Sequence, residues 1–215
     1  MKKNVKSTRR RPVQERGQAT CAAILSAARD MLAHDGAASL TTNAIAARAN
    51  MSIGSLYQYY PSKQAILTEL LRGMRAATLA DMEAADSAAD QADDLDAAMA
   101  ALMWAGVQER LRHPALCRAL DALADSLPPD DAAARLARRA SALPVALLAE
   151  HRLRDPERVA AELTGLAQGL ADAAARHGGA TLSPDAGPGA DAGADPARAA
   201  LRARMTRAIA GYLAP

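Results

Sequence analysis

The chain has 215 residues and a formal net charge of +2; half of its residues are hydrophobic and 23% are charged. This balance excludes disorder throughout and suffices for one or two packed domains. Of these residues 57 are Ala and none is Phe, and the aromatics are Trp104, Tyr57, Tyr59, Tyr60 and Tyr212. Alanine loses no side-chain entropy in a helix, whereas the β-branched and aromatic residues that strands prefer are scarce, so an all-α fold of about nine helices is expected. Its cores must be built from Ala, Leu, Met, Ile and Val, and three of the five aromatics crowd into positions 57–60.

The charge is unevenly spread. Residues 1–75 hold 12 Lys or Arg against 4 Asp or Glu, a local +8, and the rest of the chain carries a local −6. A cationic module on an acidic body suits nucleic acid, an anionic membrane surface or an acidic protein. Cys21 and Cys117 lie far apart in apolar helical patterns, which argues against a structural disulfide. No stretch reaches the roughly 18 apolar residues that span a bilayer. A soluble, cytoplasmic protein without membrane partners is expected.

In chain order, residues 1–17 are polar, basic and unpatterned and read as a flexible arm. Ile24, Ala28 and Leu32 recur at a spacing of four, giving a first helix over about 20–34 that Gly36 ends in a left-handed conformation. Thr41 or Thr42 opens a short helix to about Ala49, Asn50 and Met51 make a tight turn, and Ser52 opens a third helix that Pro61 ends after Tyr60. Ser62 caps a long fourth helix with Ile66, Leu67, Leu70, Leu71 and Met74 on its buried face. Seven acids without a base over 81–96 mark a shift in composition and a boundary. Further helical patterns cover about 95–111, 114–126, 131–150, 156–177 and 196–213. Asp155 and Asp195 precede first-turn prolines as N-caps, and Pro144 should kink or split its helix. Residues 178–195, rich in Gly, Pro and Asp, read as a mobile loop. The expected organisation is the arm 1–17, a three-helix domain 18–66 and a helical bundle 67–215.

Residues 41–67, TTNAIAARANMSIGSLYQYYPSKQAIL, carry the pattern with chemistry in it. Two short helices joined by a three- or four-residue turn, with small Ala46 at their crossing, form a helix-turn-helix. With Leu56 and Tyr60 inward, Gly54 and Gln58 point outward, flanked by Ser55 and Tyr57. That face has neither charge nor large aliphatic. Gln can bond adenine bidentately, Ser can donate or accept, and a glycine lets the backbone sit deep in the major groove. Tyr57 and Tyr59 can place hydroxyls on phosphates, and Lys63 with the first amides of the fourth helix can hold an anion.

The stretch from about 20 to 67 resembles the DNA-binding domain of the TetR family of bacterial transcriptional regulators. It matches that family's pattern of Gly, Thr-Thr, Ile-Ala, a turn, Ser-x-Gly-x-Leu-Tyr-x-Tyr-Tyr-x-Ser-Lys and an apolar fourth helix; Asn50-Met51 replaces the usual Gly-Val of the turn. The resemblance implies that Thr42, Tyr57, Tyr59 and Lys63 bind phosphates and that Asn43, Ile53, Ser55 and Gln58 face bases. It also implies a homodimer on a near-palindromic double-stranded operator, and repression relieved by a small apolar effector that shifts the fourth helix. Val159, Leu163, Leu166 and Leu170 with Leu201, Met205, Ile209 and Tyr212 are the expected dimer interface. Met99, Leu102, Met103, Trp104, Leu116, Leu120 and Leu147 are the candidate pocket.

No constellation for catalysis, metal or cofactor binding is evident: His34, His113, His151 and His177 are scattered. Packing is the simpler role for Cys117 and for most pocket candidates. Two other classes remain open, an all-α carrier or enzyme using a C-terminal pocket, and a helical scaffold whose cationic module meets an acidic partner.

Overall fold

The computed structural model describes residues 10–89, 94–177 and 195–214. Among these, nine helices form in chain order: α1 Arg10–His34, α2 Thr42–Arg48, α3 Ile53–Tyr59, α4 Lys63–Ala89, α5 Leu95–Arg112, α6 Pro114–Ala124, α7 Asp131–Glu150, α8 Pro156–Arg176 and α9 Pro196–Leu213. No strand occurs among the described residues, and no helix is long and apolar enough to cross a membrane. The chain divides into two compact units, residues 1–70 with 119–128 and residues 71–118 with 129–215. The division therefore falls inside α4 and α6 and not at the acidic stretch 81–96, whose first half is helical.

The expected flexible arm is corrected over its second half. Helix α1 begins at Arg10, about ten residues earlier than the apolar periodicity predicts. Arg, Gln and Glu are good helix formers, and Pro12 lies in the first turn, where its missing N–H breaks no bond. Residues 1–9, the rest of that arm, and 178–194, nearly all of the expected loop, lie outside the described residues.

In the first unit, α1 packs on α2 and α2 on α3. Ile24, Ala28 and Leu32 of α1, Leu40, Ile45 and Ala46 at α2, Leu56 of α3, and Ile66 and Leu67 of α4 are all buried. Gly36, at φ +77°, ends α1 in the left-handed region, and the amides of Asp35 and Gly36 both reach the Met31 carbonyl.

The second unit is arranged around α5, which packs against α7, α8 and α9. Met99, Leu102, Met103, Trp104, Ala105, Val107 and Leu111 are buried, so α5 is apolar on nearly every side, as a central helix must be. Leu163, Ala167 and Ala171 of α8 and Leu201, Met205 and Ile209 of α9 complete this core. Alanine lets these helices approach closely, and methionine fills the gaps that the missing aromatics leave. Pro144 neither splits α7 nor lies at the surface; it is buried within one continuous helix. Asp195 caps α9 through the Ala197 amide (3.0 Å), whereas Asp155 stands at the N-cap of α8 without a side-chain bond to the helix amides. Its backbone is left-handed (φ 56°), and its carboxylate instead accepts from Arg158 Nε at 2.7 Å.

Charges inside the second unit are paired. Arg112 donates to Asp81 at 2.7 and 3.3 Å, to Glu109 at 3.2 Å and to Gln108 at 2.9 Å. Burial disfavours the guanidinium's charge, but Asp81 and then Glu109 overcompensate and raise its pKa. Asp81, in the acidic stretch, is thus a buried anchor of α4 and not part of a solvated linker.

Candidate nucleic-acid interface and effector cavity

Local chemistry builds the helix-turn-helix within the first unit. Thr41 caps α2, its Oγ1 accepting the Ala44 amide at 3.1 Å. Asn50 adopts φ 53° in the turn, the conformation that Asn tolerates best among non-glycine residues. The Met51 amide reaches back to the Ala46 carbonyl at 3.0 Å. Ser52 caps α3 through the Ser55 amide at 3.0 Å. Tyr60 is extended before Pro61, as the proline ring requires, and Ser62 Oγ accepts the Ala65 amide at 3.2 Å to open α4.

Leu56 is fully buried, and on the opposite side of α3 Gly54, Tyr57 and Gln58 are exposed, Tyr57 to 50%. Asn43 and Tyr59 are exposed, whereas Thr42, Ile53, Ser55 and Lys63 are half-buried. A Cβ at Gly54 would meet only Ser52 Oγ, at 3.8 Å, so nothing in the unit's packing requires a glycine there. That glycine costs α3 about 1 kcal/mol relative to alanine.

Two contacts were invisible in the sequence. The Tyr57 hydroxyl and Thr42 Oγ1 share a hydrogen bond of 3.2 Å, joining α3 to the start of α2. Residues 15 apart carry no local signal of such a pair. The Ser55 hydroxyl also shares a bond of 2.9 Å with Ser52 Oγ, so it is held locally and not presented freely outward. Arg48 meets Asp35 at 3.2 Å, which offsets one of the module's positive charges.

The C-terminal candidates are rearranged. Within the second unit, helices α4, α5, α7 and α8 line a partly open cavity of about 190 Å³. Of the expected pocket residues only Met103 lines it, beside Met82, Val107 and Ala167, with Thr78, Ser141, Thr164 and Gln168 as polar groups. Met99, Leu102, Trp104, Leu116 and Leu120 are instead buried packing residues, and Leu147 is half-buried against the second unit's core. Apolar periodicity marks side chains that point inward, and most inward side chains fill space instead of bordering it. Cys117 is likewise buried, its Sγ 3.7 Å from the Glu109 carbonyl.

Of the residues expected at a dimer interface, five are buried within the second unit itself. Val159, Leu163, Leu201, Met205 and Ile209 are buried in the second unit's own core, because α8 and α9 turn their apolar stripes toward each other and α5. Leu166 and Leu170 are half-buried. Tyr212 is exposed, and its hydroxyl donates to the Glu162 carboxylate. The outward side of α8 carries Ala161, Gly165 and Gly169, and Cβ atoms at the two glycines would meet nothing within 4 Å.

The described residues thus combine a capped helix-turn-helix in one unit with a helical bundle in the other. Residues 24–70 match the model of the bacterial regulatory proteins of the tetR family. That match covers the helix-turn-helix together with the end of α1 and the start of α4. No curated protein matches its sequence. Its fold is similar to that of the TetR-family regulator PfmR from Thermus thermophilus, at 20% identity over 89% of this chain and 99% of that one, with a TM-score of 0.64. A tetR-family regulatory protein from Rhodococcus RHA1 gives a TM-score of 0.68 at 21% identity, over 90% and 96% of the two chains. The fatty acid degradation regulator FadR from Bacillus halodurans gives 0.63 at 15% identity, over 90% and 96%.

Proposed function

We propose that this protein is a sequence-specific DNA-binding repressor that acts as a homodimer in the cytoplasm and leaves its operator when a small molecule fills the cavity of the second unit. The observation that carries the reading is the outward side of α3. It is uncharged, it has an exposed glycine that no internal contact explains, and beside it Tyr57 is held by Thr42. A groove-reading helix needs these properties: a backbone able to approach the base edges, a bidentate side chain in Gln58, and hydroxyls positioned for phosphates. Tyr59, Asn43 and Lys63 extend the contact set. The role is regulatory and not catalytic.

Two copies would present two α3 helices to successive major grooves about 34 Å apart, on a near-palindromic site. The small residues on the outward side of α8, with Leu166 and Leu170, favour that helix as the surface on which a second copy packs. The effector acts by binding more tightly to one separation of the α3 helices than to the other. Duplex binding to the DNA flanking the protein's own coding region tests the reading, with Tyr57→Ala and Gln58→Ala as controls. Sequence-dependent binding by the parent, lost in both variants, is expected. Equal binding of all sequences, or variants that bind like the parent, would overturn it.

A further inference from the structure

The cavity between α4, α5, α7 and α8 restricts the chemistry of what it can hold. Its walls are the thioethers of Met82 and Met103 with Val107 and small residues, and no charged side chain lines it among the described residues. Both arginines of α5 are committed elsewhere, Arg110 to Asp172 at 3.3 Å and Arg112 to Asp81. A carboxylate or ammonium seated between Met82 and Met103, inside the mouth, would give up water without gaining a counter-charge, which disfavours it there. The polar groups present are neutral. Thr164 donates its hydroxyl to the Ala160 carbonyl at 2.8 Å, much the shorter of its two contacts (Met103 Sδ lies at 4.0 Å), and so keeps its lone pairs for a donor in the cavity. Gln168 and Ser141 are exposed and mark the mouth.

Size narrows the class further. The pocket of about 190 Å³, open at its mouth, has room for one ring, since ~150 Å³ suffices for benzene in a closed protein cavity. Methionine sulfur favours the edge of an aromatic ring, and two flexible thioethers can adjust to one.

We infer that the cavity binds a neutral single-ring molecule bearing one hydrogen-bond donor, such as a phenol, with the ring between Met82 and Met103 and the donor on Thr164 Oγ1. The inference rests on the reading of this cavity as the effector site, and it excludes anionic ligands of the same size.

The experiment measures binding to the full chain without DNA, by titration calorimetry and by the dependence of the melting temperature on ligand concentration. The probes are phenol, 4-methylphenol, toluene, benzoate and octanoate. Saturable binding of the two phenols is expected, with benzoate and octanoate at least tenfold weaker. Thr164→Val should weaken the phenols about tenfold, the loss of one hydrogen bond, while leaving toluene unchanged. Ala140→Leu should fill the cavity and abolish binding of every neutral probe, and Ser141→Trp, a substitution at an exposed position, should hinder entry without touching the core. Benzoate binding as tightly as phenol, no binding of either phenol, or phenol binding unaffected by both Thr164→Val and Ala140→Leu overturns the inference. Because no duplex is present, failure here leaves the operator reading standing. Phenol binding without any operator would leave the cavity's chemistry intact and overturn only the regulatory reading.

Discussion

The two units use the same poor stock of large side chains in opposite ways. The first keeps a core of Ile, Leu, Ala and Met31 and leaves Tyr57 and Tyr59 exposed on or beside α3, whereas the second buries Trp104, Met82, Met99, Met103, Met205 and the Arg112–Asp81 pair, and its exposed Tyr212 is engaged by Glu162. Burying a large side chain removes apolar area from water and stabilises, so an exposed tyrosine in a chain with five aromatics forgoes that gain. The exposed pair is therefore where function is to be sought first, and the buried set is where stability resides.

The sharpest way to break this contrast is through Arg112. Arg112→Met leaves the Asp81 carboxylate buried without its partner and should cost about 3–5 kcal/mol in urea unfolding of the full chain. The double variant Arg112→Met with Asp81→Leu should recover most of that loss. A single variant as stable as the parent would mean that the pair is hydrated in solution.

Next in size, Met99→Ala should destabilise the second unit by about 2–5 kcal/mol, since the side chain is fully buried and its neighbours are locked in helices. Tyr57→Ala, which removes a larger side chain, should cost less than about 1 kcal/mol, because half of the ring is already in water. Equal losses in the two variants would remove the distinction between the units.

Thr41→Ala should cost about 1 kcal/mol by freeing the Ala44 amide that the hydroxyl caps, and Thr41→Ser should restore it. Hydrogen exchange at α2 reports this locally, and unchanged exchange there would count against the cap.

The smallest effect is one of pH. Asp130 accepts Arg72 at 3.0 Å and the Ala133 amide at 2.8 Å, and principally the Arg72 bond holds its carboxyl below the usual carboxylate range. A lowered folded pKa contributes stability that is present above the unfolded value and is lost as pH falls through the folded one. Asp130→Asn should therefore flatten the acid limb of the stability curve below about pH 4 and leave the slope near neutrality unchanged. A parental acid limb in the variant would show that the pair contributes nothing measurable.

Legibility followed the range of the interactions. The α2–turn–α3 segment could be read because its determinants are local: Thr41 and Ser52 cap within three residues, Asn50 bends the chain at its own φ, and Leu56 sets the inward side of one helix. Helix α7 was legible to the residue because Asp130 caps its start and His151 closes its end. By contrast, the extension of α1 to Arg10 lacked apolar periodicity, although helix formers sufficed. Pairing between Thr42 and Tyr57, or Asp81 and Arg112, spans 15 and 31 residues and leaves no mark on either local pattern.

Composition alone determined an all-α chain, because alanine favours helix wherever it stands, and charge counting alone separated a basic module from an acidic remainder. Motif spacing determined the helix-turn-helix and the outward placing of Gly54 and Gln58, since helical geometry fixes direction within a turn or two, but not the bond that turns Ser55 back to Ser52. Only tertiary structure decided which apolar stripes were spent on the monomer's core and where a cavity was left. Periodicity states that a side chain faces inward; whether it then meets another side chain or an empty volume depends on helices distant in the chain.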